Sequence, residues 1–465
     1  MHYPRIIIAA LKGGSGKTIL SLGLTSAWRE QGRVVAPFKK GPDFIDAGWL
    51  DFAAGRPCYN LDPFLMSEKE IRESFFTHSS GADISLIEGN RGLYDGLDID
   101  GCCSTSELGK MLKAPVIIIA DVTMSTRTIA AVILGCQRFD PDLSIEAVIL
   151  NRVAGARQEN LIRDAVERYC GIPVIGAVPK LKGDFFPERH MGLVPHQERE
   201  RARRAMSWAR KTVEDHLDLE TIWHLAQKAD PLEGDVSGQM DEPPVEIPAS
   251  ERPRIGYIKD SAFWFYYPEN LDQLKTLGAE LLELNAIEDR KLPDLDALYI
   301  GGGFPETQAK GLAQNSSFRD DLKGQIESGL PVYAECGGFM YLGNNIVVND
   351  NIYPMVGALP VDLVLEKKPQ GHGYTILEVT GQNPYFPVHE TLKGHEFHYS
   401  RPVPTGSEEM HPVFKVLRGR GMDGQRDGLC KKNLLATYTH LHAAGNATWA
   451  KSLFKTACRF RSGKK

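Results

Sequence analysis

The chain has 465 residues, and its 54 lysines and arginines against 60 aspartates and glutamates give a formal net charge of −6. This acidic balance argues against nucleic acid or another polyanion as a partner. Hydrophobic residues make up 42% and charged residues 25%, as in globular proteins, and the length fits two or three domains. Without a run long enough for a membrane span or a recognisable signal peptide, we expect a cytoplasmic protein with no membrane partner.

The eight cysteines are scattered and form no zinc-like CxxC pairs. Reduced thiols are therefore expected. The vicinal pair Cys102-Cys103 is interpreted as incidental.

An apolar run that begins at Ile6 leads into a glycine-rich loop, and a helical pattern follows from Ile19. Glycines let successive backbone N–H groups turn toward phosphate oxygens, and the new helix adds the positive end of its dipole. A lysine at the end of such a loop reaches the β- and γ-phosphates, and a hydroxyl beside it suits Mg²⁺. The loop therefore predicts nucleotide triphosphate binding by Gly13, Gly14, Ser15, Gly16, Lys17 and Thr18.

The loop departs from the strict P-loop pattern at two positions. Leu11 stands where glycine is usual, and Lys12 adds a second lysine. The alternative is a glycine-rich turn that only joins a strand to a helix. The order of strand, loop and helix favours nucleotide binding.

A charged turn, Lys39–Asp46, follows the next predicted strand, Val34–Phe38. Its carboxylates Asp43 and Asp46 lie three residues apart beside two lysines. They either coordinate Mg²⁺ and orient a substrate, or belong to an ordinary solvated turn.

A further predicted strand, Asp83–Ile87, delivers Glu88 to its carboxyl end. Ligands bind at the carboxyl ends of strands in open α/β sheets. Glu88 is therefore expected to hold Mg²⁺ or its water, and Asp95 in the following loop is a candidate for metal or substrate contact. The alternative is a strand end with an ordinary loop.

The first half alternates strands with helices at a regular spacing. This alternation predicts right-handed βαβ crossovers and a mostly parallel sheet, hence an α/β fold. The strands are apolar on both faces, as a sheet covered by helices requires. Further strands are predicted at Pro115–Asp121, Glu146–Asn151 and Pro173–Val178, and helices at about 105–113, 125–138 and 157–170.

The chain loses its periodicity between Asp230 and Pro253, where prolines and acids accumulate. We therefore predict an N-terminal domain at 1–230, a linker at 231–252 and a C-terminal domain at 253–465. Before the linker, the charged segment Pro187–Val194 faces either bound phosphates or solvent.

The second domain is predicted to begin with the strand Arg254–Ile258, and its chemical centre is the thiol of Cys336. A strand from Pro331 ends sharply in this cysteine, and two glycines begin a helix, which is the nucleophile-elbow pattern. The tight turn is expected to expose the thiol at a helix N-terminus, which lowers the thiol pKa and favours the thiolate. The alternative is a buried cysteine that only packs.

A cysteine nucleophile needs a base, and His440, after the predicted strand Leu434–Thr437, is the candidate. A lone histidine is usually a core or surface residue, but the elbow and the histidine together favour catalysis. His395 and His398 are weaker candidates, for substrate contact. The glycine-rich segment Gly301–Glu306 forms either an oxyanion hole or a flexible turn.

Several segments occur in an order that is specific to one family. They are Lys39–Asp46, Gly55–Pro57, Asn60–Pro63, Glu88–Gly96, Pro187–Val194, Phe265–Leu271, Gly301–Glu306, Glu335–Gly338 and Gly394–Ser400. Over nearly the whole chain the sequence resembles the cobyrinate a,c-diamide synthase family. The resemblance implies a P-loop amidoligase domain similar to dethiobiotin synthetase, followed by an α/β domain of the class I glutamine amidotransferases.

The resemblance implies a reaction in two parts. Cys336 attacks the side-chain amide of glutamine, His440 moves the proton, and ammonia is released. At the other site ATP converts the a and c acetate carboxylates of a cobyrinate-type tetrapyrrole to acyl phosphates, from which ammonia displaces phosphate. Lys17 and Mg²⁺ neutralise the developing charge, with Thr18 and Glu88 as metal ligands.

Asp43, Asp46, Glu88 and Asp95 match family positions that are associated with Mg²⁺ or substrate. In many amidotransferases of this class a glutamate follows the catalytic histidine by two positions, whereas His442 stands there in this chain. What orients His440 is therefore left open by the sequence.

Two alternative functions remain at this point. The variant P-loop and the segment Pro369–Tyr374 depart from the common family pattern, which leaves sirohaem or a metal-sirohydrochlorin as the alternative tetrapyrrole. A partition-type ATPase switch uses the same P-loop variant but gives no reason for Cys336 or His440. The sequence also leaves open the central metal, the order of amidation and the oligomeric state, with a homodimer among the alternatives.

Overall fold

A computed structural model describes residues 2–181, 196–232, 248, 251–406 and 410–464, with the backbone alone at 196–199. The described residues divide into two units, one up to residue 232 and one from residue 248 onwards. The segment Pro187–Val194 and most of the predicted linker at 231–252 lie outside the described residues. In the described part of the chain, no helix is long and apolar enough to cross a membrane.

The first unit alternates strands with helices. Its strands are β1 (Arg5–Ala10), β2 (Val35–Lys40), β3 (Tyr59–Leu61), β4 (Ile84–Glu88), β5 (Val116–Asp121), β6 (Ile145–Val153) and β7 (Val174–Pro179). Its helices are α1 (Lys17–Glu30), α2 (Phe44–Ala54), α3 (Glu68–Ser79), α4 (Thr105–Met111), α5 (Thr128–Phe139), α6 (Ala156–Cys170), α7 (His196–His216) and α8 (Leu219–Gln227).

These strands form one sheet in the order β3-β2-β4-β1-β5-β6-β7, and all neighbours are parallel. The predicted α/β fold is confirmed. All six residues of β1 are buried, because helices cover both faces of a sheet built from βαβ crossovers. Since β1 pairs with β4 and β5, the glycine-rich loop after β1 and Glu88 at the end of β4 share one edge of the sheet.

The second unit has sixteen named strands in its described residues. They are β8 (Arg254–Ile258), β9 (Phe263–Phe265), β10 (Glu280–Leu284), β11 (Ala297–Ile300), β12 (Gly302–Gly303), β13 (Val332–Glu335), β14 (Asn345–Val348), β15 (Asn351–Pro354), β16 (Val361–Leu365), β17 (Gly371–Val379), β18 (Thr391–His398), β19 (Ser400–Pro404), β20 (Pro412–Arg418), β21 (Arg426–Lys431), β22 (Leu434–Thr437) and β23 (His440–Leu441). The helices are α9 (Pro268–Thr276), α10 (Ala309–Gln314), α11 (Ser316–Glu327), α12 (Gly337–Leu342) and α13 (Ala447–Lys464), with a 3₁₀ turn at Pro305–Gln308.

The main sheet of the second unit has ten strands in the order β10-β8-β11-β13-β22-β21-β20-β17-β18-β23. The first five are parallel and the rest are antiparallel. Cys336 follows β13 in the middle of the sheet, and His440 follows the neighbouring strand β22. Two smaller sheets, β15-β14-β16-β19 and β12-β9, complete the unit.

Two segments that were predicted as turns have regular structure. Helix α2 begins at Phe44, and Asp43 caps it by accepting hydrogen bonds from the N–H groups of Ile45 and Asp46. Asp46 therefore lies in the first helical turn rather than in a charged loop. Gly302 and Gly303 form a buried strand that pairs with β9 rather than an open turn.

Candidate active sites

The glycine-rich loop of the first unit is fixed from the end of β6. Asn151 donates from Nδ2 to the carbonyl oxygen of Ser15 at 2.8 Å, and Ser15 Oγ donates to the carbonyl oxygen of Lys12 at 3.0 Å. Gly16 has a φ of +94°, and a Cβ on it would lie 2.5 Å from Asn151 Nδ2. Glycine is therefore required at position 16 for its backbone conformation and for the close approach of Asn151.

The additional lysine, Lys12, contacts the end of β5. Its Nζ lies 3.3 Å from Asp121, and Arg152 lies 2.7 Å from the same carboxylate. Arg152 Nη2 also donates to the carbonyl oxygen of Gly14 at 3.1 Å. Because both cations are largely exposed, these pairs add little stability, but they fix the outer side of the loop.

Lys39 forms ion pairs with two of the predicted carboxylates, Asp46 and Glu88, at the carboxyl edge of the sheet. Its Nζ lies 2.7 Å from Asp46 and 2.9 Å from Glu88 Oε1, and Thr18 Oγ1 donates to that same Glu88 oxygen at 2.8 Å. Lys39 and Glu88 are fully buried. Burial raises the pKa of Glu88 to about 7, with Lys39 opposing the shift. Burial lowers the pKa of Lys39, but Glu88 and Asp46 outweigh it and raise that pKa, so the lysine stays charged.

The other two predicted carboxylates have backbone partners. Asp43 Oδ1 accepts from the N–H of Asp46 at 2.9 Å, and burial raises the pKa of Asp43. Asp95 Oδ2 accepts from the N–H of Gly92 at 2.8 Å. Both side chains therefore hold the loops on either side of the edge where Glu88 ends.

Lys17 lies among these carboxylates. Its Nζ donates to the carbonyl oxygen of Arg91 at 2.6 Å. Burial and then Lys39 lower the pKa of Lys17, and three of the predicted carboxylates raise it. These three carboxylates are Glu88, Asp46 and Asp95. The structure thus brings the predicted loop and the predicted acids together at one edge of the sheet.

Glu88 has one oxygen that suits a cation. Thr18 and Lys39 share Oε1, whereas no described residue donates a hydrogen bond to the buried Oε2. A magnesium ion satisfies such an oxygen. No group of three or more His, Cys, Asp or Glu in the described ranges can hold a metal. An ion at Thr18 and Glu88 would therefore take its other ligands from nucleotide phosphates and water, as is usual for Mg²⁺.

Cys336 in the second unit has the backbone of a nucleophile elbow, with φ +46° and ψ −97°. Two parts of the prediction are wrong. The residue is only 3% exposed, and burial together with nearby carboxylates raises the thiol pKa instead of lowering it. The six-residue helix α12 does not outweigh burial and negative charge. The carboxylates that raise the pKa of Cys336 are Glu306, Glu335 and Glu396. The thiol therefore needs a base to remove its proton.

The imidazole of His440 and the residue after the nucleophile, Gly337, lie beside the same pair of glycines, Gly302 and Gly303. A Cβ on Gly302 would overlap Cε1 of His440 and lie 3.1 Å from its Nε2. A Cβ on Gly337, the residue after Cys336, would lie 3.0 Å from the backbone nitrogen of Gly303. The ring of His440 and the segment that carries Cys336 therefore both lie next to Gly302 and Gly303.

Gly302→Ala is expected to lower the turnover number for glutamine hydrolysis by about 10²-fold or more, because the new methyl group displaces the ring of His440. Steady-state glutaminase assays measure this. Gly324→Ala is the matched control, since Gly324 lies in α11 with no atom near its Cβ position. That variant is expected to keep full activity and to gain about 0.5–1 kcal/mol of stability. Equal activity of both variants would contradict the packing described above.

Two further histidines were predicted to contact substrate, and both are buried. His395 stacks on His440 with ring centroids 5.0 Å apart, and its Nδ1 lies 3.1 Å from the hydroxyl of Tyr267. Burial and then the nearby histidines, His440 first, lower the pKa of His395, so it is neutral at pH 7. His398 stacks on Tyr438 at 3.7 Å. In the structure, His395 and His398 thus pack against aromatic side chains and His440.

Three residues that hold the histidine strand were not predicted as site residues. Glu335 Oε2 lies 3.4 Å from His440 Nδ1, and Glu269 Oε2 lies 3.5 Å from His442 Nε2. Asn270 donates to the carbonyl oxygen before His442 and accepts from the N–H after it, at 2.9 and 2.8 Å. One signal was available in the sequence, since Glu335 is a charged residue at the end of an otherwise apolar buried strand.

The two units match different family descriptions. Residues 6–194 match the "CobQ/CobB/MinD/ParA nucleotide binding domain", and residues 254–448 match the "CobB/CobQ-like glutamine amidotransferase domain". A nucleotide-binding unit and an amidotransferase unit in one chain define a glutamine-dependent amidating ligase.

Full-length relatives identify the family. The chain is 41% identical over 454 residues to a cobyrinate a,c-diamide synthase from Magnetococcus marinus, with 96% of each chain covered. It is 42% identical over 460 residues to one from Archaeoglobus fulgidus, with 99% of this chain and 98% of the relative covered. The chain belongs to the cobyrinate a,c-diamide synthase family, which confirms the resemblance inferred from its motifs.

Proposed function

We propose that this chain converts the a and c acetate carboxylates of cobyrinate into amides, with ATP as the energy source and glutamine as the nitrogen donor. The observation that carries the proposal is that one chain combines a P-loop edge lined with carboxylates and a cysteine elbow that shares its packing with a histidine. Amidation needs both, because a carboxylate anion is a poor electrophile and must be activated before ammonia attacks. A partition-type switch has no use for the cysteine.

In the second unit, the sulfur of Cys336 attacks the amide carbon of glutamine. His440 takes the thiol proton as the C–S bond forms and gives it to the leaving nitrogen as the C–N bond breaks. Ammonia departs, and water then hydrolyses the thioester to glutamate. The buried backbone N–H of Gly303 lies next to Gly337, which makes it a candidate donor to the oxyanion.

In the first unit, the N–H groups of the glycine-rich loop and Lys17 bind the phosphates of ATP. Thr18 Oγ1 and Glu88 Oε2 would hold Mg²⁺, which neutralises phosphate charge when bound. A carboxylate oxygen of the tetrapyrrole forms a bond to the γ-phosphorus as the bond to ADP breaks, which gives an acyl phosphate. Ammonia then attacks the acyl carbon and phosphate leaves.

The experiment that tests the substrate offers cobyrinate and sirohaem separately to the purified protein with ATP, Mg²⁺ and glutamine. Mass spectrometry follows the products. We expect two carboxyl-to-amide conversions on cobyrinate and none on sirohaem. Amidation of sirohaem alone would overturn the substrate assignment, and amidation of neither substrate would overturn the proposed reaction.

A further inference from the structure

The imidazole of His440 has a carboxylate partner that comes from the nucleophile's own strand. Glu335 is the last residue of β13 and immediately precedes Cys336. Its Oε2 lies 3.4 Å from Nδ1 of His440. Both side chains are 1% exposed, so water screens their interaction only weakly.

The carboxylate of Glu335 is held in place by two donors. The hydroxyl of Tyr299 donates to Oε2 at 3.0 Å, and the N–H of Leu441 donates to Oε1 at 3.1 Å. Leu441 is the residue after His440, so one carboxylate binds the backbone of the histidine strand and also lies near the ring.

The residue at the usual acid position has a different partner. His442 stands two residues after His440, and its Nδ1 accepts from the N–H of Ala444 at 3.3 Å. Its proton is therefore on Nε2, which faces Glu269 at 3.5 Å. His442 thus faces Glu269 instead of His440. It does not take the role of the glutamate that many amidotransferases of this class have two residues after the catalytic histidine.

Other titratable groups near His440 have contacts of their own. His395 is stacked on its ring and neutral, and the hydroxyl of Tyr299 is bound to Glu335. Glu306 and Glu396 act on the thiol of Cys336. Glu335 is a carboxylate with an oxygen 3.4 Å from a ring nitrogen of His440.

We propose that Glu335 is the positioning residue for His440, an inference that rests on the proposed glutaminase half-reaction. Glu335 accepts a hydrogen bond from the Nδ1–H group, so that the unprotonated Nε2 is free to take the proton of the Cys336 thiol. It also stabilises the imidazolium that forms when the sulfur attacks. The acid of the triad thus comes from the position before the nucleophile instead of from the position two after the histidine.

Glu335→Gln is the decisive variant, because glutamine keeps the size but supplies an N–H₂ group. Leu441 N–H holds the amide oxygen, so the N–H₂ group faces Nδ1 and forces the imidazole into the tautomer with its proton on Nε2. We expect the glutaminase turnover number to fall by about 10²-fold or more. Amidation supplied with ammonium chloride instead of glutamine is expected to keep the wild-type rate.

The pH profile separates positioning from general damage. Glu335→Gln removes the negative charge beside the ring of His440, so the acid limb of its residual glutaminase activity is expected to lie at a lower pH than in wild type. Tyr299→Phe removes a hydrogen-bond donor from the carboxylate of Glu335 and leaves the negative charge in place. This variant is expected to move the acid limb to a slightly higher pH. Asp296→Asn is the control, since Asp296 is also a buried, hydrogen-bonded carboxylate, and it is expected to leave the limb unmoved.

The outcomes distinguish this inference from the proposed function. If wild-type protein hydrolyses no glutamine, the proposed function fails. If wild-type protein hydrolyses glutamine and Glu335→Gln keeps its turnover number within threefold and its pH limb unchanged, Glu335 has no positioning role. If Glu335→Gln fails to fold, an unmoved limb in Tyr299→Phe overturns the inference, and an upward shift supports it.

Discussion

Cys336→Ala is expected to abolish glutamine-dependent amidation, by about 10⁴-fold or more, and to leave ammonia-dependent amidation at the wild-type rate. The reason is that alanine removes the only atom that forms the thioester in the proposed mechanism, while the P-loop unit keeps all of its residues. The measurement is the initial rate of ATP hydrolysis coupled to product formation, with glutamine or ammonium chloride as the nitrogen source.

Cys458→Ala is the control for this prediction, because Cys458 is a free, partly exposed thiol in α13. It is expected to behave as wild type with both nitrogen sources. Glutaminase activity that survives in Cys336→Ala would show that another nucleophile performs the hydrolysis. Loss of the ammonia-dependent rate would show that the cysteine acts beyond nitrogen supply.

Lys39→Met is expected to lower the free energy of unfolding by about 3–5 kcal/mol at pH 8, because it leaves the carboxylates of Glu88 and Asp46 without their buried cation. The measurement is urea denaturation of the whole chain, followed by tryptophan fluorescence. Lys40→Met is the matched control. Lys40 is the next residue on β2 and is also buried, but the structure records no ion pair for it among the described residues. Its replacement is expected to change stability by ~1 kcal/mol or less.

The pH dependence of this loss has a definite sign. Burial raises the pKa of Glu88 in the folded protein to about 7 from its ordinary value of 4.5, and removal of Lys39 raises it further. The folded state then binds a proton that the unfolded state has lost, so stability falls as pH rises through this window. The deficit of Lys39→Met relative to wild type is therefore expected to be smaller at pH 5 than at pH 8. An equal deficit at both pH values would contradict the pairing of Lys39 with Glu88.

The fold was largely predictable from local patterns, and so were the positions of the glycine-rich loop and the cysteine elbow. The run from Ile6 to Thr18 predicts strand, phosphate loop and helix because glycine, lysine and hydroxyl positions there obey local rules. The strand Leu434–Thr437 has the predicted bounds, because a short, mostly apolar run bounded by turn signals is typical of a fully buried strand.

The environment of those residues was not readable, because it depends on contacts between distant parts of the chain. The burial of Cys336 and its raised pKa arise from packing and from carboxylates such as Glu306 and Glu396, at 30 and 60 positions away. The pairing of Lys39 with Glu88 joins residues 49 positions apart. The sequence does not indicate Glu335 as a neighbour of His440, because the usual acid position lies two residues after the histidine, whereas Glu335 lies on another strand.

The most direct test of the central claim, that one chain frees nitrogen from glutamine and transfers it to an ATP-activated carboxylate, is an isotope experiment. The protein is supplied with cobyrinate, ATP, Mg²⁺ and glutamine labelled with ¹⁵N in its side-chain amide, with unlabelled ammonium in the buffer. Mass spectrometry of the tetrapyrrole is expected to show ¹⁵N in both new amides, and none when ATP is omitted or Cys336 is replaced by alanine. Amides that carry only unlabelled nitrogen in the wild-type reaction would contradict the account.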